Sequence, residues 1–243
     1  MVDYPDGTLP IAVLVQAELM SQMRQLPWWL RYAPSRIIFL DDFEGVNKWA
    51  ESDPLIAKDS SVYVYEGTYN LKITPPDVSE SITAEYRIPY YGKSKFMLQL
   101  LWSVGVPTDM AYVQFLLKLF DGVHAIYAQV RFVIKNAAGD YVEIWQYYDK
   151  DGNWIDIADS YASASVHYQN NNHFMLKIDL SEGANTFIKM ISNNKEFDLS
   201  GIDLYSEDDA SSKALFIIIT AEHTSVGPVK SAYIDALCLS DQE

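Results

Sequence analysis

The densest grouping of side chains suited to recognising a ligand falls on one hairpin. Its loop is Asn136-Ala137-Ala138-Gly139-Asp140, between strands expected at 124–135 and 141–148. If Lys135 pairs with Tyr141, then Val133 faces Glu143, Arg131 faces Trp145 and Gln129 faces Tyr147 on the side away from the core. Gln129, Arg131, Tyr141, Glu143, Trp145 and Tyr147 would then form an aromatic platform interspersed with hydrogen-bonding groups. A sugar offers apolar C–H faces and a belt of hydroxyls, and rings beside Arg, Gln and Glu complement both. The competing reading is a sheet face covered by another layer or by a neighbouring subunit.

Signs of catalysis are sparse. Trp154-Ile155-Asp156-Ile157-Ala158-Asp159 and the isolated Glu143 do not supply paired carboxylates at alternate positions of one strand. A Gly-x-Ser-x-Gly elbow, a His-Glu-x-x-His helix and a phosphate-binding glycine loop are all missing from the sequence, so a non-enzymatic role is expected. His124, His167, His173 and His223 do not cluster at ligand spacing, and the single cysteine, Cys238, has no internal disulfide partner. Asp149-Lys150-Asp151-Gly152-Asn153 has part of the look of a calcium loop. It lacks the full run of oxygen ligands and the bidentate glutamate, and is expected to be a hairpin turn.

Charge narrows the partners. The formal net charge is −15, from 33 acidic and 18 basic side chains, which would repel a polyphosphate backbone and excludes nucleic acid. No uninterrupted apolar run approaches the roughly 18 residues of a membrane-spanning helix. Met1 to Gly7 carries no basic region of the kind that opens a signal peptide, so synthesis in the cytoplasm is expected.

Positioning such a platform requires strands, and the sequence supplies them. Of 243 residues 49% are apolar and 14% aromatic, ample for a packed core. From residue 36 to the C-terminus, short β-rich runs alternate with turn signals, which predicts a single all-β antiparallel sandwich over 36–243. Strands are expected at 37–40, 62–65, 69–74, 83–88, 96–104, 112–120, 124–135, 141–148, 154–157, 174–180, 186–192, 215–222 and 232–239. Ile126, Ala128, Val130, Phe132 and Ile134 alternate with Tyr127, Gln129, Arg131, Val133 and Lys135, marking one core face and one wetter face.

Residues 1–35 read differently, as an extended arm followed by a short, broken helix. Pro5, Gly7 and Pro10 precede a short strand-like run through Ile11, Val13 and Val15, and helix formers from Ala17 to Tyr32 are interrupted by Pro27. Together with Trp28 and Trp29 these apolar residues need a surface to bury against, either the chain's own domain or another subunit. The expectation is an assembly arm that docks on a neighbour, giving a homo-oligomer or a complex with other particle proteins.

Several strings resemble known families. Phe174 to Leu180, Thr186 to Gly201 and Ala232 to Leu237 are similar to concanavalin A-like and laminin-G-like jelly rolls, with Asn194 where a turn glycine is usual. Asp42-Phe43-Glu44-Gly45, Trp49 and Glu66 to Lys72 resemble the opening of jelly-roll carbohydrate-binding modules. This resemblance implies a jelly-roll fold, no required cofactor, and a structural calcium held by Glu44 and Asp235. The retaining glycosidases of this fold carry Glu-x-Asp-x-Glu on one strand, and this chain has no such triplet. Asp3-Tyr-Pro-Asp-Gly-Thr-Leu-Pro-Ile11 resembles the openings of some tailed-phage structural proteins. Taken together these resemblances imply a non-enzymatic structural or receptor-facing protein of a phage-like particle, located in the virion. The alternatives are a carbohydrate-binding module, with a cytoplasmic location as the second choice, and then a glycoside hydrolase-like enzyme.

Overall fold

A computed structural model describes residues 37–241 of the protein, apart from 46, 50–53, 61–67, 77–78, 90–91, 93, 106–109, 137–138, 165–171, 182 and 225–229. The arm and broken helix expected over 1–35 and the strand expected at 62–65 lie outside these residues.

Fifteen strands build two antiparallel sheets. The first contains β1 (Ile37–Asp41), β2 (Ile56–Asp59), β3 (Asn70–Ile73), β5 (Lys95–Val104), β10 (Asn172–Asp179), β11 (Thr186–Ser192), β12 (Lys195–Asp198) and β15 (Ala232–Asp241). Its order is β12-β11-β10-β5-β15-β3-β2, and β1 pairs with the C-terminal half of β15 along the edge that β3 uses at its start. The second contains β4 (Ser81–Pro89), β6 (Met110–Phe120), β7 (His124–Lys135), β8 (Tyr141–Tyr148), β9 (Trp154–Asp156), β13 (Tyr205–Asp208) and β14 (Ala214–His223). Here the order is β4-β14-β6-β7-β8-β9, with β13 pairing the start of β7. No helix occurs among the described residues, so none there is long and apolar enough to cross a membrane.

The sandwich is all-β, as the period-2 segments predict, and a jelly roll, as the resemblance implies. Apolar side chains at alternate positions bury themselves only when two such faces meet, which drives the sheets together. Phe96, Leu98, Leu100 and Trp102 of β5 meet Phe115, Leu117, Phe132 and Trp145 of the facing sheet. Phe174 stacks on Phe115 at 4.7 Å and on Trp145 at 5.2 Å between ring centroids, forming an aromatic centre. Burial of each such side chain contributes about 1.5–3 kcal/mol of transfer free energy.

Three strands were not foreseen: β2, β12 and β13. Each has four residues, and β12 and β13 read Lys-Glu-Phe-Asp and Tyr-Ser-Glu-Asp. All three pair with the described strands along one side only, where a charged short strand blunts further pairing and leaves little hydrophobic pattern to read. The β11–β12 hairpin turns at Asn193, which takes a left-handed φ of 53°, a conformation asparagine tolerates where glycine is more usual.

Candidate functional site

The outward face of the seven-stranded sheet is where ligand-recognising groups gather. One register row runs Thr83–Thr220–Gln114–Arg131–Gln146–Asp156 across β4, β14, β6, β7, β8 and β9. Every member is polar, and three of the five adjacent pairs bond to one another. The Thr83 and Thr220 hydroxyls lie 3.0 Å apart, Arg131 Nε donates to Gln146 Oε1 at 2.8 Å, and Gln146 Nε2 donates to Asp156 Oδ1 at 2.7 Å. A second row, Arg87–Phe216–Lys118–Tyr127–Tyr205, alternates cations and rings. Lys118 Nζ lies 4.6 Å from the Tyr127 ring centroid and 4.4 Å from that of Phe120.

Arg131 is the centre of the arrangement. Its guanidinium sits 4.0 Å from the Trp154 ring centroid and 5.0 Å from that of Tyr112, so two aromatic faces hold it by cation–π attraction. Burial lowers its pKa from the ordinary value, while Tyr112, Glu222 and Asp156 act in the opposite direction. A guanidinium remains charged at neutral pH in any case. Apart from Nε, its donors have no hydrogen-bond partner among the described residues. The half-buried amides of Gln114 and Gln129 and the Trp154 indole N–H are in the same position.

The carboxylates of this face are engaged instead. Asp156 accepts from Gln146, Glu222 from the Tyr112 hydroxyl, and Glu207 from the hydroxyls of Tyr127 and Tyr205. Burial and then the bonded Glu222 raise the Tyr112 pKa, just as burial and Glu207 raise that of Tyr127. Both phenols therefore stay protonated and donate. The face thus combines unengaged donors with aromatic rings, and the carboxylates of Asp156, Glu222 and Glu207 each accept a hydrogen bond from a neighbour.

The sequence places part of this face correctly and part of it on the wrong side. Lys135 does pair with Tyr141, but β8 then carries an extra residue, so Val133 faces Ile144, Phe132 faces Trp145 and Arg131 faces Gln146. Glu143 marks this β-bulge with a left-handed φ of 45°. A one-residue slip turns every following side chain over. Trp145 is accordingly 0% exposed in the core, Glu143 is buried, and Tyr147 turns towards the core and meets the Phe187 ring edge-on at 5.9 Å. Gln129 and Arg131 face outward as expected, and Tyr141, 45% exposed, lies at the hairpin end with Lys135 Nζ 4.8 Å from its ring centroid. The six residues therefore do not share one platform.

Those missed are Tyr112, Gln114, Gln146, Tyr148, Trp154, Asp156 and Glu222. The alternation of Tyr112 and Gln114 with Val113 and Phe115 was a readable signal for β6. In β8 both alternate sets contain aromatic and polar residues, so no pattern announces the bulge. The Asp149–Asn153 segment is the expected hairpin turn: Asp149 Oδ1 accepts the backbone N–H of Asp151 at 3.0 Å and of Asn153 at 2.7 Å. Gly152 has φ +79°, and a Cβ there would lie 3.3 Å from the Tyr148 hydroxyl, so glycine lets the turn close beneath Tyr148 and Trp154, whose rings are 5.1 Å apart.

The proposed calcium ligands have other surroundings. Glu44 Oε1 accepts the backbone N–H groups of Thr68 and Tyr69, at 2.5 and 2.9 Å, while Asp235 lies buried within β15. Calcium takes six to eight oxygens. Among the described residues no three His, Cys, Asp or Glu side chains come together, so these carboxylates belong to no ready-made side-chain cage.

The two packed antiparallel sheets define a jelly-roll β-sandwich. Comparison with solved structures agrees with that class: the cellulose-induced protein Cip1 superposes with a TM-score of 0.52 at 13% identity, covering 84% of this chain and 97% of that one. Alginate lyase Aly36B in complex with alginate trisaccharide gives 0.49 at 14% identity over 72% of this chain and 84% of that one. Lectin I-B4 from Griffonia simplicifolia gives 0.48 at 12% identity over 81% and 97% of the respective chains. No family model and no curated protein sequence matches the chain.

Proposed function

We propose that this protein binds a glycan on the outward face of the seven-stranded sheet, without turning it over. The observation that carries this reading is half-buried Arg131, held between Tyr112 and Trp154 with its terminal N–H donors unpartnered among the described residues. Sugar rings stack on exposed indole and phenol faces, while their hydroxyls accept from guanidinium and amide donors. Gln114 and Gln129 flank Arg131 on the same sheet and extend the donor set along the strands. Carboxylates already committed to Gln146, Tyr112, Tyr127 and Tyr205 favour holding a ligand over attacking it. The jelly-roll fold is compatible with this reading and does not by itself decide function.

The particle-borne role expected from residues 3–11 draws on a segment outside the described residues, and no described feature speaks for it over the glycan reading.

Affinity electrophoresis and calorimetry of the full chain against a panel of soluble neutral and acidic polysaccharides test the proposal. At least one polysaccharide is expected to retard the protein, and both Arg131→Ala and Trp154→Ala should abolish that retardation while leaving the far-ultraviolet spectrum unchanged. Retention of binding by both variants would remove the site from this face. New reducing ends or unsaturated sugar absorbance appearing during incubation would instead establish turnover.

A further inference from the structure

We propose that the glycan bound on the outward face of the seven-stranded sheet is an acidic polysaccharide, one whose sugar units carry carboxylate groups, and that it runs along β6 and β7 from Arg131 to Lys118. This inference rests on the glycan reading and narrows it to one class of ligand. The chain has 33 acidic and 18 basic side chains, yet the 11 residues of β6 and the 12 of β7 include no aspartate or glutamate. They carry Lys118, Arg131 and Lys135 instead. All three share the outward face: Gln114 pairs with Arg131, Lys118 with Tyr127, and Lys135 follows Arg131 by four residues. The carboxylates of that face lie on the flanking strands, Glu85 on β4, Asp156 on β9, Glu207 and Asp208 on β13, and Glu222 on β14.

The cations of this face are held by rings rather than by carboxylates. Elsewhere Lys72 meets Asp59 at 3.2 Å, Lys95 meets Asp179 at 3.5 Å and Lys189 meets Glu196 at 2.9 Å. Lys118 and Arg131 form no ion pair among the described residues, and each lies over two aromatic rings. Arg87, in the register row of Lys118 and 5.9 Å from the Phe216 ring centroid, repeats the arrangement on β4. Asp209, just past β13, attracts Lys118 without reaching ion-pair distance. A ring fixes a cation through its quadrupole and leaves the full positive charge for a ligand. Arg131 Nε is committed to Gln146, so the two terminal amino groups remain, and their planar fork matches the two oxygens of a carboxylate. Four residues of β6 separate Gln114, opposite Arg131, from Lys118, roughly 14 Å along the strand. A single small anion does not span that distance, whereas a chain charged on successive units does. Leu116 and Gln129, paired midway, give such a chain an apolar contact and an amide donor. The net charge of −15 opposes any polyanion at long range, so this strip suits the spaced charges of a uronic acid polymer over the dense charge of a nucleic acid.

The test is calorimetry of the full chain with polygalacturonate, polyglucuronate and hyaluronan, each paired with its own methyl ester, and with dextran sulfate and polyuridylate alongside. At least one of the three acidic polymers is expected to bind, and esterification of its carboxylates should weaken binding about tenfold or more. Lys118→Met should weaken the same interaction about tenfold with an unchanged far-ultraviolet spectrum, and Lys118→Arg should restore it. The esterification comparison needs no variant. Equal affinity for an acid and its ester overturns the proposal, as does undiminished binding by folded Lys118→Met. Binding of dextran sulfate or polyuridylate without any uronic acid polymer also overturns it. Binding confined to neutral polysaccharides, and lost in Arg131→Ala and Trp154→Ala, overturns the acidic class and leaves the glycan site standing. Absence of binding by every polysaccharide overturns both.

Discussion

On the seven-stranded sheet the outward side chains of β6 and β7 are mostly half-exposed and mix rings, amides and cations, with several donors unengaged. On the eight-stranded sheet the outward side chains of β5 and β15 include methionine, leucine and tyrosine and are almost fully buried. The two faces come from strands of similar length in the same sandwich, so strand geometry does not separate them. What separates them is composition at alternate positions. Met97 and Leu101 gain free energy by leaving water, whereas Arg131, Gln114 and Gln129 lose it unless a partner replaces the water they give up.

The sharpest test of that contrast compares two tryptophans. Trp145→Ala removes an indole from the centre of the core and should lower unfolding free energy by about 3–5 kcal/mol, measured by chemical denaturation. Trp154→Ala removes a half-exposed indole and should cost no more than about 1 kcal/mol while eliminating glycan retardation. Equal stability losses would mean that the outward face is part of the core.

Next in size is the effect of the β8–β9 turn, which sets Tyr148 against Trp154. Gly152→Ala strains a turn at φ +79° and forces its Cβ towards the Tyr148 hydroxyl. Glycan affinity should fall about tenfold, equivalent to about 1.4 kcal/mol, with a smaller change in stability. An unchanged affinity would show that Tyr148 and Trp154 need not be held together.

The smallest expected effect concerns pH and a half-buried histidine on β10. Burial lowers the His173 pKa below its ordinary value of 6.5. The unfolded chain then takes up a proton before the folded one does, so stability is full above the unfolded pKa and declines as pH falls below about 6.5. His173→Gln should flatten the fall in unfolding free energy between pH 7.5 and 5.5. An identical slope in the variant would mean that this imidazole is not desolvated. Burial likewise pushes the Cys238 thiol up to about 12.

Much of the strand inventory was readable because apolar alternation is a local property. The limits of β7, β8 and β11 follow directly from where alternation starts and stops, and the loop 136–140 lies where turn residues accumulate. Short polar edge strands such as β12 and β13 escaped because they have almost no buried face to leave a pattern. Gln129 and Arg131 were placed correctly because β7 has no interruption, whereas Trp145 was placed on the wrong side by one extra residue in its own strand, β8.

The amino-acid sequence by itself determined the all-β class, the antiparallel sandwich and the identity of the wetter face of β7, since each depends on side chains a few positions apart. The tertiary structure alone decided which rings meet Arg131 and which enter the core. Trp154 is 23 residues from Arg131 in sequence, and it arrives there because the β8–β9 hairpin carries it across the sheet. The β8 bulge sets which of two chemically similar alternate sets faces water, and its cost and benefit are weighed in packing between sheets rather than along a strand.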